Sequence, residues 1–394
     1  MTSTQSALQQ QLDAARAQTD ELFDLLEPES LYLRPVEERH RLIFYLGHLE
    51  AFDWNLVGRW ALGLPSFNPQ FDKLFEFGID PEPGQSPQDT PADWPTLGEV
   101  HGYKDEVRRR VDEVLADAPK NLAHVVVEHR WMHAETFAYL LHNLNGEGFR
   151  PGHPKDAVIS GGHPIDNPMI SIPAGTVTLG QSPEEFGWDN EFQRHTLHVE
   201  DYKLSKYKVT NGEYLRFLET GAKAPHFWAR HGGEWFYRGV FGLIPLPLDW
   251  PVYVTQAEAS AYAMWVGKNL MTEPQFHRAA HGTPEGTDSA MGNFDFHRWD
   301  PVSVTANPQS ASAFGVEQLI GNGWEWTSTL FGPFEGFQPF PFYAGYSANF
   351  FDNAHYVIKG ASSRTASCFL RRSFRNWFRP NYPYVYAGFR LVEN

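Results

Sequence analysis

Hydrophobic periodicity changes character once along this chain, and that change constrains the fold more than any other feature. Through residue 145 apolar residues recur every three or four positions, as in Leu8, Leu12, Ala15, Leu22, Leu25 and Leu26. Further helices are predicted over about residues 37–62, 96–115 and 120–144, so the first 145 residues read as a bundle of four amphipathic helices. Between the second and third lies FNPQFDKLFEFGIDPEPGQSPQDTPADWP (67–95), whose Pro, Gly and Asp exclude regular structure over most of its length. Connections this long often carry function.

Composition shifts to Gly, Pro, His and Asp across residues 146–167, which reads as a linker. From 168 to 394, short alternating or aromatic runs (MISIPAGTVTLG, HTLHVEDYKLSKYKVT, HYVIKGASS, AGFRLVE) are separated by turn clusters. Helical pattern returns there only in NGEYLRFLET and QAEASAYAMWVGKNL. The expectation is a two-domain α+β chain with an irregular second half. A length of 394 residues suits two cores, and 13 Trp, 16 Tyr and 30 Phe call for large buried rings or aromatic-lined pockets.

A net charge of −16 argues against nucleic acid, whose binding needs clustered cations to release counterions. The longest basic run, Arg108 to Arg110, sits in a helical pattern and reads as a solvated face. The first residues show neither a basic start nor an apolar core, and no stretch reaches the ~18 apolar residues of a membrane span, so a soluble cytoplasmic protein is expected. Cys368 is the single cysteine, which excludes an internal disulfide and a thiolate zinc site.

The segment EHRWMHAET sets His129 and His133 at i and i+4, one turn apart on one helix face, as two ligands of one metal require. Alone, the spacing fits a capping or surface pair as well. His48, in GHLEAFDWN, lies amid apolar residues and reads either as a core histidine or as a third ligand. Were the bundle to bring it opposite the pair, three neutral imidazoles would form a facial set with open positions. Iron and zinc remain equally open on spacing.

The strings IPAGTVTLG, YKVTNGEYLRFL, GNGWEWTST, HYVIKG and AGFRLVE, in that order, resemble the formylglycine-generating enzyme fold (C-type-lectin-like), without the cysteine pair that holds copper there. Together with a DinB-like bundle carrying a His plus HxxxH set, the whole chain resembles the ergothioneine-pathway sulfoxide synthases (EgtB-like). That resemblance implies Fe(II) held by His48, His129 and His133, with Glu135 completing an HxxxHxE motif, and dioxygen as co-substrate. It implies small-molecule substrates, a thiol and the imidazole of hercynine, joined as a sulfoxide in a site between the two domains.

In PFYAGYS, Tyr343 matches a tyrosine that supplies a proton or hydrogen bond at the metal, and Tyr346 one that binds the imidazole substrate. In RRSFRNWFRPNYPYVYAGFRL, Asn376 matches a donor to the hercynine carboxylate, and Trp377 faces the trimethylammonium group by cation–π attraction. Arg375 is a further candidate for a substrate carboxylate. Relatives that use γ-glutamylcysteine carry Asp and Arg where this chain has Phe378 and Tyr382, which favours cysteine or another donor. Met132 stands where some relatives have a hydrogen-bonding Gln. Asp189, Asn190 and Glu191 offer hard oxygens for a structural calcium. Sister readings are a thiol dioxygenase, a selenoneine-type or histidine-type synthase, and a non-catalytic ligand-binding module.

Overall fold

A computed structural model describes residues 3–76, 87–152, 162–282 and 291–393. Its contacts divide the chain into two compact units, 1–154 and 155–394. Much of the expected linker, 153–161, and the middle of the long bundle connection, 77–86, lie outside the described residues.

The N-terminal unit contains α1 (Ser3–Asp24), α2 (Leu42–Asp53), the short α3 (Pro69–Leu74), α4 (Leu97–Val114) and α5 (Lys120–His142). On α4 the residues Val100, Tyr103, Val107 and Val111 turn inward at three- and four-residue spacing, the stripe an amphipathic helix presents. Thr96 opens that helix with a capping box, its backbone N–H donating to Glu99 Oε2 at 2.8 Å.

α2 departs from the expected amphipathic pattern. All twelve of its residues are buried, because α4 and α5 both pack on it. It also begins later than residue 37: Arg41 is extended, and its guanidinium donates to Tyr32 O at 2.7 Å and Asp89 Oδ2 at 2.8 Å. Past Asp53 the helix widens into a π-helical turn, Trp54–Ala61.

The C-terminal unit is built of short pieces. In chain order these are β1 (Met169–Ile172), β2 (Gly175–Leu179), β3 (His195–Val199), β4 (Tyr202–Ser205), α6 (Asn211–Leu218), β5 (Trp228–His231), β6 (Glu234–Gly239), β7 (Gly242–Pro245) and α7 (Gln256–Trp265). There follow β8 (Asn269–Leu270), α8 (Glu273–His281), β9 (Gly323–Leu330), β10 (Tyr356–Ala361), β11 (Asn376–Phe378), β12 (Ala387–Gly388) and β13 (Leu391–Glu393). Two four-stranded sheets run in the orders β1-β4-β13-β8 and β11-β10-β9-β12. Pairing is antiparallel except between β12 and β9. Ile172, Leu204, Met271, Phe276, Val316 and Val392 share one apolar core.

Helix α8 was not expected from the periodicity. Its signals were local: Thr272 and Gln275 form a capping box, Pro274 fits the first turn, and Gly282 ends it at φ 70°. Buried charge also shapes this unit. Glu325 accepts from Lys208 Nζ at 2.8 Å and from Arg390 Nε at 2.7 Å, with all three side chains fully buried.

Candidate metal centre

α5 delivers His129 and His133 to one face, and α2 brings His48 against them. One nitrogen from each ring lies within 4.8 Å of the others. His48 Nε2 and His133 Nε2 are 3.2 Å apart, close to the ~3 Å that two adjacent ligands keep when each binds one ion at about 2.1 Å. Glu135 does not join this cluster.

Hydrogen bonding fixes the tautomer of His48. Its Nδ1 sits 2.8 Å from the carbonyl oxygen of Phe75, and since a carbonyl only accepts, Nδ1 carries the proton and Nε2 keeps its lone pair for a metal. Phe75 comes from the long connection, at the end of α3. That short helix is anchored by Asp72, whose Oδ1 accepts from Tyr103 Oη at 2.7 Å and whose carbonyl accepts from Asn55 Nδ2 at 3.1 Å. The Phe75 ring lies so close to α2 that a Cβ at Gly47 would fall 2.5 Å from it.

Rings complete the surroundings. Phe52 stacks on His129 at 3.5 Å between centroids, and Phe44 stacks on His48 at 5.0 Å. Burial in this apolar shell holds His48 at about 4 and pushes His129 and His133 well below the ordinary imidazole range. All three imidazoles are therefore neutral near pH 7, the form that binds a metal. Three neutral, convergent nitrogens, two of them on buried rings, fit a divalent cation.

In the C-terminal unit Tyr343, Tyr346 and Trp377 belong to one aromatic group. Tyr346 stacks on Trp188 at 4.1 Å, meets Trp377 edge-on at 5.4 Å and lies 5.5 Å from Tyr343. One face of Trp377 is covered by Phe331 at 4.1 Å and 6°. Asn376 Oδ1 accepts from Trp377 N at 2.8 Å, which orients the amide NH2 as the remaining donor. Phe378 stacks on Tyr382 at 5.2 Å.

Two expectations are corrected by these contacts. Arg375 is buried and committed internally: it donates to both oxygens of Glu273 at 3.0 and 3.1 Å and to Gly332 O at 2.9 Å, so it is not offered to a substrate carboxylate. Of the three residues read as calcium candidates, Glu191 is committed to partners within the protein. Arg371 takes both Glu191 oxygens, Ser373 adds a third bond, and Ser347 donates to Asp189. Desolvation pushes the Asp189 carboxyl up to about 6.

Two features of the metal centre went unread in the sequence. The Phe75 carbonyl had no signal, since every residue has one. Glu50 and Asp53 did leave a signal, because two acids on an otherwise apolar helix require buried partners.

Comparison with known proteins assigns both units. Residues 11–146 match the DinB superfamily and residues 163–394 match the sulfatase-modifying factor enzyme 1-like domain. Ergothioneine biosynthesis protein 1 of Neurospora crassa is 27% identical over 94% of this chain and 56% of its own length. Hercynine oxygenase of Mycolicibacterium smegmatis is 30% identical over 72% of this chain and 74% of its own. That of Mycolicibacterium thermoresistibile is 31% identical, over 72% and 71%. The chain thus spans about half the length of the fungal relatives it matches. It belongs to the family that joins a DinB-type bundle to a sulfatase-modifying-factor-like domain, the EgtB-like family in which the hercynine oxygenases are found.

Proposed function

We propose that this chain is an iron(II)- and dioxygen-dependent sulfoxide synthase that joins a thiol to the imidazole ring of hercynine or a related histidine derivative. The observation that carries this reading is the convergence of three neutral imidazoles from two helices, those of His48 and His129 buried and that of His133 half-buried, with His48 Nε2 and His133 Nε2 3.2 Å apart. Relatives named hercynine oxygenase support the substrate class.

His48, His129 and His133 would hold the ion, and their lack of charge leaves it able to bind an anionic thiolate. When bound, iron with dioxygen supplies a four-electron oxidation: one oxygen atom enters the sulfoxide, and the other leaves as water with the thiol and ring hydrogens. Tyr343 serves in this reading as a proton or hydrogen-bond donor through its phenol O–H. The Asn376 NH2 group donates to the substrate carboxylate. Trp377 faces the trimethylammonium group, and Tyr346 helps bind the imidazole substrate. Phe378 and Tyr382, stacked on each other, offer no cation of their own to a doubly anionic thiol, which favours cysteine or another small donor.

The test is to incubate iron(II)-loaded protein with hercynine and a panel of thiols in air and identify the product by mass. A carbon–sulfur sulfoxide is expected. The absence of both product and thiol-dependent oxygen uptake, with every thiol, would leave a ligand-binding module as the better reading. Histidine in place of hercynine, or a selenium donor, separates the sister synthases, and an oxidised thiol with no ring product identifies a thiol dioxygenase. Tyr343→Phe is expected to keep its iron and lose most sulfoxide formation, and wild-type yields would remove Tyr343 from the chemistry.

A further inference from the structure

Directly beside the three histidines, the bundle buries a chain of opposite charges that the proposed chemistry does not use. Arg130, the residue after His129, is fully buried and donates to Glu50 Oε2 at 3.0 Å, Asp53 Oδ2 at 2.5 Å and Leu49 O at 3.2 Å. All three acceptors belong to α2, on which Glu50 follows His48 by two residues and Asp53 by five. Glu50 also accepts from Arg108 Nη2 of α4 at 2.8 Å, and Arg108 Nη1 reaches Asp20 of α1 at 2.6 Å. Arg108 thus turns inward from the face expected to be solvated.

We propose that Arg130 is a positioning residue of the metal centre, which sets the register between α2 and α5 so that His48 stands opposite His129 and His133. The inference rests on the three-histidine reading of the site. Apolar contact between α2 and its neighbours is non-directional and tolerates small slides and rotations. A metal centre does not, because its ligands must be held within about 0.5 Å of their working places. Arg130 supplies the missing direction. Its rigid guanidinium grips α2 at residues 49, 50 and 53, a span of about one turn, which fixes both the rotation of that helix and its height. Each helix carries a ligand within two residues of the clamp, and His133 lies three residues from it, so little slack separates grip from ligand.

A purely structural ion pair makes a different forecast, because buried charge networks replaced by apolar residues of similar size often keep or gain stability. The test is the triple variant Arg130→Met, Glu50→Leu, Asp53→Leu in the full chain, which leaves Arg108 paired with Asp20. Cobalt(II) titration, read by visible absorption, reports affinity and coordination geometry together, and thermal unfolding of the metal-free protein reports stability. The expected result is near wild-type unfolding with cobalt affinity lowered about 10–100-fold, the loss usual when partners behind metal-bound histidines are removed, and an altered cobalt spectrum. Arg130→Lys, which keeps the charge without the fork, is the milder variant, expected to fold and to bind cobalt with intermediate affinity. Wild-type affinity and spectrum in either variant overturn the positioning role. Failure of the wild type to bind cobalt or iron defeats the three-histidine reading itself.

Discussion

In the N-terminal unit every proposed metal ligand stands on a helix of twelve or more residues, whereas in the C-terminal unit the residues proposed to meet substrate stand on turns and a three-residue strand. The two kinds of support are held differently. Long helices α2 and α5 have no side-chain cap at their start and depend on burial. Short helices α6, α7 and α8 each open with a threonine capping box, at Thr210, Thr255 and Thr272. The irregular stretches beyond α8 are tied by buried cations donating to backbone carbonyls, as Lys359 does to Arg372 O and Lys208 to Gln318 O. A helix lattice places ligands by its period, and a loop must be trussed atom by atom.

The comparison breaks most visibly at Glu325. Glu325→Leu leaves Lys208 and Arg390 without their shared anion, and is expected to cost about 3–5 kcal/mol, read as a lower midpoint in urea unfolding. A loss below ~1 kcal/mol would mean that buried charge does not brace this unit. In the bundle, Gly47→Ala pushes on the Phe75 ring and so on the carbonyl behind His48, and cobalt(II) or iron(II) affinity is expected to fall about 10–100-fold with the helix content unchanged.

Asp189 sharpens the contrast through pH. Its carboxyl is held at about 6, above the ordinary 3.8, so the folded state prefers the neutral form. The burial penalty is full above pH 6 and gone below pH 4. Asp189→Asn is therefore expected to stabilise the protein by about 1–2 kcal/mol at pH 8, with the gain fading to nothing by pH 4 in paired thermal scans. The smallest effect belongs to a cap: Thr255→Ala is expected to cost about 1 kcal/mol in the same assay.

What the sequence displayed follows from the same contrast. His129 and His133 were legible because a helix converts a spacing of four into a shared face, and the bundle helices were legible because packing enforces a period. The partnership of His48 was not, since no local rule says which buried histidine faces which across two helices. Arg375 looked like a substrate ligand while its partner, Glu273, lay a hundred residues away on a helix whose capping signals are easily passed over. The family resemblance carried the assignment of Tyr343, Asn376 and Trp377; periodicity alone gave them no role.

The support behind His48 is a main-chain oxygen, so substitution of residue 75 leaves the acceptor itself in place. Variation at that position is chemically silent toward the imidazole as long as the backbone keeps its path, and the restriction is displaced onto its neighbour across the gap, the bare α-carbon of residue 47. An engineer wishing to retune the ion without touching its ligands would redraw the course of the segment that presents this oxygen, leaving the imidazoles as they are.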